Sequence, residues 1–398
     1  MPQNLRIPGP TPIPDDVREA QAAAMIDHRG TEFADMLGEI TSGVAQLVAT
    51  RGEVLLLTGS GTGAMEAAVV NTLSPGDRVL AVSIGSFGDR FARIAEAYGA
   101  DVERMEVEWG QAAEPQALGE RLATGSPFRA VLLTHNETST GVANPLEELV
   151  GAVHDAPSDP LVVVDGISGL GAMPFETDAW GIDLVVSASQ KAWMASPGIA
   201  LAVVGERARA AEQTARMPRY YWDFAEARRW AAKGQTPWTP AVSVLYGLAV
   251  GVRRLMAEGR ERTWARHAAV AAGAQAGLKA LGLELVAPPA HRSATVTAAW
   301  LPDGLEWGPF NADMRARGLV VAGGQDRMAG RILRFGHMGM VEPADLAAAV
   351  RVMGETMVDR GLAVEPSEAA KATLRAAAQA GEVAAVRGAA GVEGVAAR

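Results

Sequence analysis

The sequence predicts an α/β protein built on a mostly parallel sheet, with a second and smaller α/β domain toward the C-terminus. Three observations predict it. Short apolar runs without alternation recur through the first half of the chain, the pattern of strands buried on both faces. Each run ends in Gly, Ser or Asp and gives way to a helical pattern, as βα units do. The pattern breaks after Val204 and a second αβ series begins near Glu258. A length of 398 residues suits about two domains.

The elements come in order. Val54–Leu57 leads through Thr58–Gly63 into a helix over Ala64–Thr72. Arg78–Val82 leads through Ile84–Gly88 into an amphipathic helix over Asp89–Tyr98, and Ala130–Leu133 through Thr134–Gly141 into a helix near Leu146–His154. Leu161–Val164 ends in Asp165, Ile182–Val186 ends in Ser187–Gln190, and Ile199–Val204 comes next. Glu206–Trp238 is rich in Arg and aromatics and shows no clear period. Val242–Ala257 and Thr263–Leu281 read as long helices, succeeded by strands at Thr295–Trp300, Leu319–Ala322 and Ile332–Phe335 and a helix over Pro343–Met353. The expected division is an N-terminal segment over 1–20, a large domain over 21–257, a small domain over 258–360, and an Ala/Gly-rich tail over 361–398 that reads as a frayed helix or disordered.

Composition narrows the chemistry. There is no cysteine, which removes disulfides, thiolate metal sites and cysteine nucleophiles. The six histidines lack zinc-like spacing, so no metal site is expected. No apolar run reaches the length of a membrane helix, and the first residues lack the build of a signal peptide. A formal charge of −10 argues against nucleic acid as partner. A soluble cytoplasmic protein is the expectation.

Only four of the 36 basic residues are lysines. Lys233, Lys279 and Lys371 have polar or amphipathic settings, whereas Lys191 leaves a strand end into Ala192, Trp193, Met194 and Ala195. An amine kept from water has a lowered pKa and attacks carbonyls. Upstream, Thr58-Gly59-Ser60-Gly61-Thr62-Gly63 joins a buried strand to a helix, which favours an anion such as phosphate at the free N–H groups. The alternative there is a plain tight turn. Asp165 ends a wholly apolar strand and so faces the crevice where α/β sheets bind ligands, or else caps the next helical turn. A phosphate cradle, a strand-end Asp and a strand-end Lys are the three groups pyridoxal phosphate needs.

Four stretches carry a resemblance in order and spacing: Gly59–Ala67, Thr134–Gly141, Val164–Ser168 and Ser187–Lys191. They resemble the class V aminotransferases, close to the alanine–glyoxylate and serine–glyoxylate enzymes, over about Pro8 to Met353. The resemblance implies fold type I, with a seven-stranded sheet in a large cofactor-binding domain, and pyridoxal 5′-phosphate as cofactor. It implies that Lys191 holds the cofactor's aldehyde and later moves a proton, and that Asp165 pairs with the ring nitrogen. Phe87 would stack on the ring, Ile167 would pack on its other face, and Thr138 would reach the ring hydroxyl. Ser60, Gly61, Thr62 and Gln190 would hold the phosphate. Thr239 would reach it from a neighbouring subunit, implying a homodimer. Arg334 would bind the substrate carboxylate and Gly9 would line the entrance. A recurring pair, His28 and Arg29, receives no role.

The activity so implied is transfer of an amino group from alanine or serine to glyoxylate or a similar 2-oxo acid. A 2-aminoethylphosphonate–pyruvate transaminase is the nearest alternative within the family. Outside it stands a nucleotide-dependent oxidoreductase, although the turn has G-x-G-x-G spacing and lacks the acidic ribose partner. A non-catalytic subunit would not need Lys191, Asp165 and Arg334 together.

Overall fold

A computed structural model describes residues 3–395. The seven strands of the larger sheet are β1 (Glu53–Gly59), β2 (Arg78–Ser83), β3 (Asp101–Glu106), β4 (Ala130–Thr134), β5 (Leu161–Asp165), β6 (Leu184–Ala188) and β7 (Gly198–Val204), in the spatial order β1-β7-β6-β5-β4-β2-β3. β7 runs antiparallel to both of its neighbours, and the pairs β2–β3, β2–β4, β4–β5 and β5–β6 are parallel. The sheet is therefore mostly parallel, as expected. Successive residues of β4 and β5 point to opposite faces: Val131, Leu133, Val162 and Val164 enter one core, Ala130, Leu132, Leu161 and Val163 the other. Burial on both faces is why these strands are continuously apolar.

β3 is an element the apolar-run criterion passes over. Only Val102 and Met105 in it are apolar, its residues are half-buried or exposed, and it closes one edge of the sheet. Two helices, Glu206–Glu212 and Phe224–Ala231, also lie in the stretch without clear period.

The smaller sheet contains β8 (Val296–Trp300), β9 (Leu319–Gly323) and β10 (Ile332–Gly336), with Asn4–Arg6 added parallel to β9 at the edge. The N-terminal segment thus begins inside the small sheet before it crosses to the larger one. Helix Val242–Glu258 meets helix Arg260–Ala280 at Gly259, whose φ of +83° suits glycine. Within the stretch read from sequence as a frayed helix or disordered tail, the helical alternative holds over the described residues. Pro366–Val395 is helical, and Ala369, Thr373 and Ala377 on it are buried. Gly273 and Gly277 of helix Arg260–Ala280 face Thr373, and a methyl group at Gly277 would collide with Thr373 and Val350.

Candidate active site

The carboxyl ends of β1, β5 and β6 lie side by side along one edge of the sheet, with β7 beginning among them. Ligands of open α/β sheets bind outside this edge. Ser60 N-caps the twelve-residue helix Gly61–Thr72, its Oγ accepting from Gly63 N at 3.4 Å. Gly61 must lack a side chain, since a Cβ there would stand 2.7 Å from Ile167 Cδ1. The turn of Ser60, Gly61 and Thr62 therefore presents backbone to the cleft, at the positive end of a helix.

Asp165 is buried at the end of β5, and its Oδ1 accepts from Ile167 N at 2.9 Å. Burial pushes its carboxyl up to about 7; the Ile167 amide, Lys191 and Arg90 oppose that, while the Glu137 carboxylate adds to it. Lys191 comes directly after Gln190 in the turn beyond β6. Its Nζ donates to Pro8 O at 2.9 Å, and a Cβ on Gly9 would lie 2.5 Å from that nitrogen. Burial draws the amine down to about 8; Asp165 opposes this, and Arg334 and Arg90 reinforce it. The turn is pinned by Thr11, whose N donates to Gln190 O at 3.1 Å and whose Oγ1 donates to Lys191 O at 3.2 Å. Buried Gln190 Oε1 has no partner, so it stands ready for a donor from outside the protein.

Thr138 Oγ1 donates to Ser168 Oγ at 3.0 Å, within a buried network that continues to Asn136 and Thr295. Arg334, on β10, reaches across from the small sheet. Its Nη1 donates to Thr138 O at 3.3 Å and to Gln325 Oε1 at 3.1 Å, and its Nε to Gly323 O at 2.7 Å. Burial lowers its pKa to about 10, still cationic at neutral pH. Phe87 is half-buried on the first turn of helix Ser86–Ala97, with the Arg90 guanidinium 4.6 Å from its ring centroid.

Thr239 stands apart from these residues within the single chain and is exposed. Beside it Trp238 stacks on Tyr220 and Tyr221, both exposed. Arg29, left without a role by sequence, anchors this loop: its Nη1 donates to Thr236 O at 2.6 Å and to Gln235 Oε1 at 3.2 Å. His28 meets Phe33 edge-on.

Two residues that sequence reading missed complete the cleft. Arg90 donates to Thr62 Oγ1 at 3.2 Å, bringing a cation to the glycine turn. Glu137 is fully buried and accepts from Phe87 N at 3.0 Å, Gly88 N at 3.2 Å, Ser139 N at 3.0 Å and Ser139 Oγ at 2.6 Å. Helix Ser86–Ala97 has no capping side chain of its own. Glu137 and Ser139 supply the cap from across the sheet, with Ser139 Oγ accepting from Ser86 N at 3.0 Å. The only sequence signal was a charged residue inside an otherwise small and polar strand-end motif.

A strand-edge lysine and aspartate beneath a glycine turn, on a seven-stranded sheet of this order, define an enzyme with the aminotransferase fold. The family Aminotransferase class-V matches residues 16–330. The chain belongs to the class V aminotransferases. It is 40% identical to the soluble hydrogenase small subunit of Synechococcus sp., over 90% of this chain and 93% of that one. It is 36% identical to the L-aspartate–glyoxylate aminotransferase of Paracoccus denitrificans, over 90% and 92%. Among solved structures, the alanine–glyoxylate aminotransferase of Nostoc sp. superposes with a TM-score of 0.86 at 29% identity, covering 90% of this chain and 96% of that one. No helix among the described residues is long and apolar enough to cross a membrane.

Proposed function

We propose that the protein is a pyridoxal-phosphate-dependent transaminase that passes the amino group of a small amino acid, alanine or serine, to glyoxylate or a similar 2-oxo acid. One observation carries the reading: Lys191 lies in the turn beyond β6, on the sheet edge where Asp165 ends β5, with its Nζ donating to Pro8 O at 2.9 Å. The residues present fit the cofactor. Gln190 Oε1 lacks a partner, and the helix start at Ser60–Thr62 suits a phosphate.

When bound, pyridoxal phosphate supplies an aldehyde for the lysine amine and a ring that takes up electrons released at the substrate α-carbon. Lys191 carries that amine and, once free, moves a proton at the substrate α-carbon. Asp165, ionised beside the ring nitrogen, keeps that nitrogen protonated. Ser60, Gly61, Thr62 and Gln190 hold the phosphate, while Phe87 and Ile167 cover the two ring faces. Thr138 offers a hydroxyl to the ring oxygen. Arg334 takes the substrate carboxylate in a planar pair that a lysine does not reproduce, and Gly9 lines the entrance and leaves room for the Lys191 amine. Two 2-oxo acids use this one cleft in turn, which is ping-pong chemistry.

The working unit in this reading is a homodimer, with Thr239 serving the neighbouring cleft. Its exposure and the open aromatic stack beside it support that. Glyoxylate as acceptor is supported by the Paracoccus and Nostoc relatives, which favour it over phosphonate or nucleotide substrates. The hydrogenase name finds no counterpart here, because iron–sulfur clusters are held by thiolates and the chain has no cysteine.

The absorbance spectrum of the purified protein tests this. A visible band should be bleached by alanine or serine and restored by glyoxylate. A protein that develops no such band with added cofactor would end the proposal. A band bleached only by aspartate or 2-aminoethylphosphonate would replace the donor.

A further inference from the structure

The guanidinium of Arg334 is already engaged. Nε gives its one proton to Gly323 O, and Nη1 gives its two to Gln325 Oε1 and Thr138 O. A two-oxygen pairing with a carboxylate uses either Nε with Nη2 or Nη1 with Nη2. Either way, one of these three acceptors must leave before a substrate carboxylate can seat.

Two of the three cannot move easily. Thr138 O belongs to a fully buried loop. Gly323 O ends β9, where a Cβ would stand 2.6 Å from the Trp307 indole. Gly324 packs directly on Met328 O with no room for a side chain, and Asp326 Oδ2 is tied to Ser86 Oγ at 2.6 Å. The backbone on both sides of Gln325 is therefore held, whereas its own side chain is half-buried and neutral.

We propose that Gln325 is a displaceable placeholder for the substrate carboxylate: its amide oxygen accepts from Arg334 Nη1, and the side chain rotates out as the carboxylate arrives. This rests on the proposed role of Arg334. A neutral amide oxygen is a weaker acceptor than a carboxylate, so it yields. A carboxylate at position 325 would not yield.

The test measures the dissociation constant of propionate, a carboxylate without an amine, on the holoenzyme by calorimetry, together with KM and kcat for the amino donor and glyoxylate. Gln325→Glu should weaken propionate by tenfold or more and raise both KM values, with kcat falling far less than kcat/KM. Gln325→Ala should bind propionate as tightly as the unaltered protein or severalfold tighter. Unchanged propionate binding in Gln325→Glu, or a tenfold loss in Gln325→Ala, would overturn the proposal. Arg334→Gln separates the two layers. If it binds propionate normally, the role of Arg334 itself fails. If it loses binding while both Gln325 variants behave as the unaltered protein, only the role of Gln325 fails.

Discussion

Glu137 shows what a single buried charge does for a cleft. Burial alone raises its pKa, and the four N–H and O–H donors around it pull the other way. Glu137→Gln puts an N–H₂ group where an acceptor is required, leaving buried amides of the Ser86–Ala97 helix unmatched. We expect a stability loss of about 1–3 kcal/mol in denaturant titration, and weaker retention of cofactor because Phe87 and Arg90 ride on that helix. Lys191→Ala should abolish turnover while the cofactor still binds noncovalently, read by absorbance after gel filtration. Arg334→Lys should raise KM for both acids by about tenfold, since one bidentate charge-assisted pair is reduced to a point contact; steady-state kinetics on each substrate reads this. Lys191 and Asp165 were legible in the sequence because Asp165 closes an apolar strand and Lys191 follows one within three residues. Arg90 was not: it is one of 32 arginines, and only the packing of its helix brings it to Thr62. Glu137 was equally hidden, because half of its donors, Phe87 N and Gly88 N, come from a segment fifty residues earlier.

At the level of elements, the strands buried on both faces announce themselves and the others do not. β3 is an edge strand with only Val102 and Met105 apolar and none of its residues fully buried, and the three-residue strand Asn4–Arg6 is too short to carry a period. The packing of helix Pro366–Val395, which the sequence left between a frayed helix and disorder, was hidden for another reason. Its buried side is made of Ala369, Thr373 and Ala377, small groups with a weak apolar signal that work because Gly273 and Gly277 let the two helices approach closely. Gly277→Val should therefore separate them. We expect a loss of about 1–3 kcal/mol, typical of overpacking, seen as a lowered melting temperature, with KM affected more than the visible spectrum because the small sheet carries Arg334.

The whole molecule responds to pH through groups that burial holds uncharged or protonated. Burial lowers His135 and His267 to about 4 and His337 to about 3. Unfolded, each would take a proton below about 6.5, so stability falls as pH drops from there toward 4. Asp165 has the opposite sign: folded, it keeps its proton up to about 7, and unfolded it releases it near 4. Stability from this group falls as pH rises through that window. In the cofactor-free protein, Asp165→Asn should thus steepen the rise of unfolding free energy between pH 4 and 7 by about 1.4 kcal/mol per pH unit, measured by urea titration at several pH values. An unchanged slope would mean that the carboxyl titrates normally. β1 reaches the rest of its sheet only through β7, so a ribosome must release residues up to Val204 before the turn at Ser60 can settle. Chains emerging at roughly 5–20 residues per second leave β1 unpaired for many seconds, a window in which a holdase chaperone has something to protect.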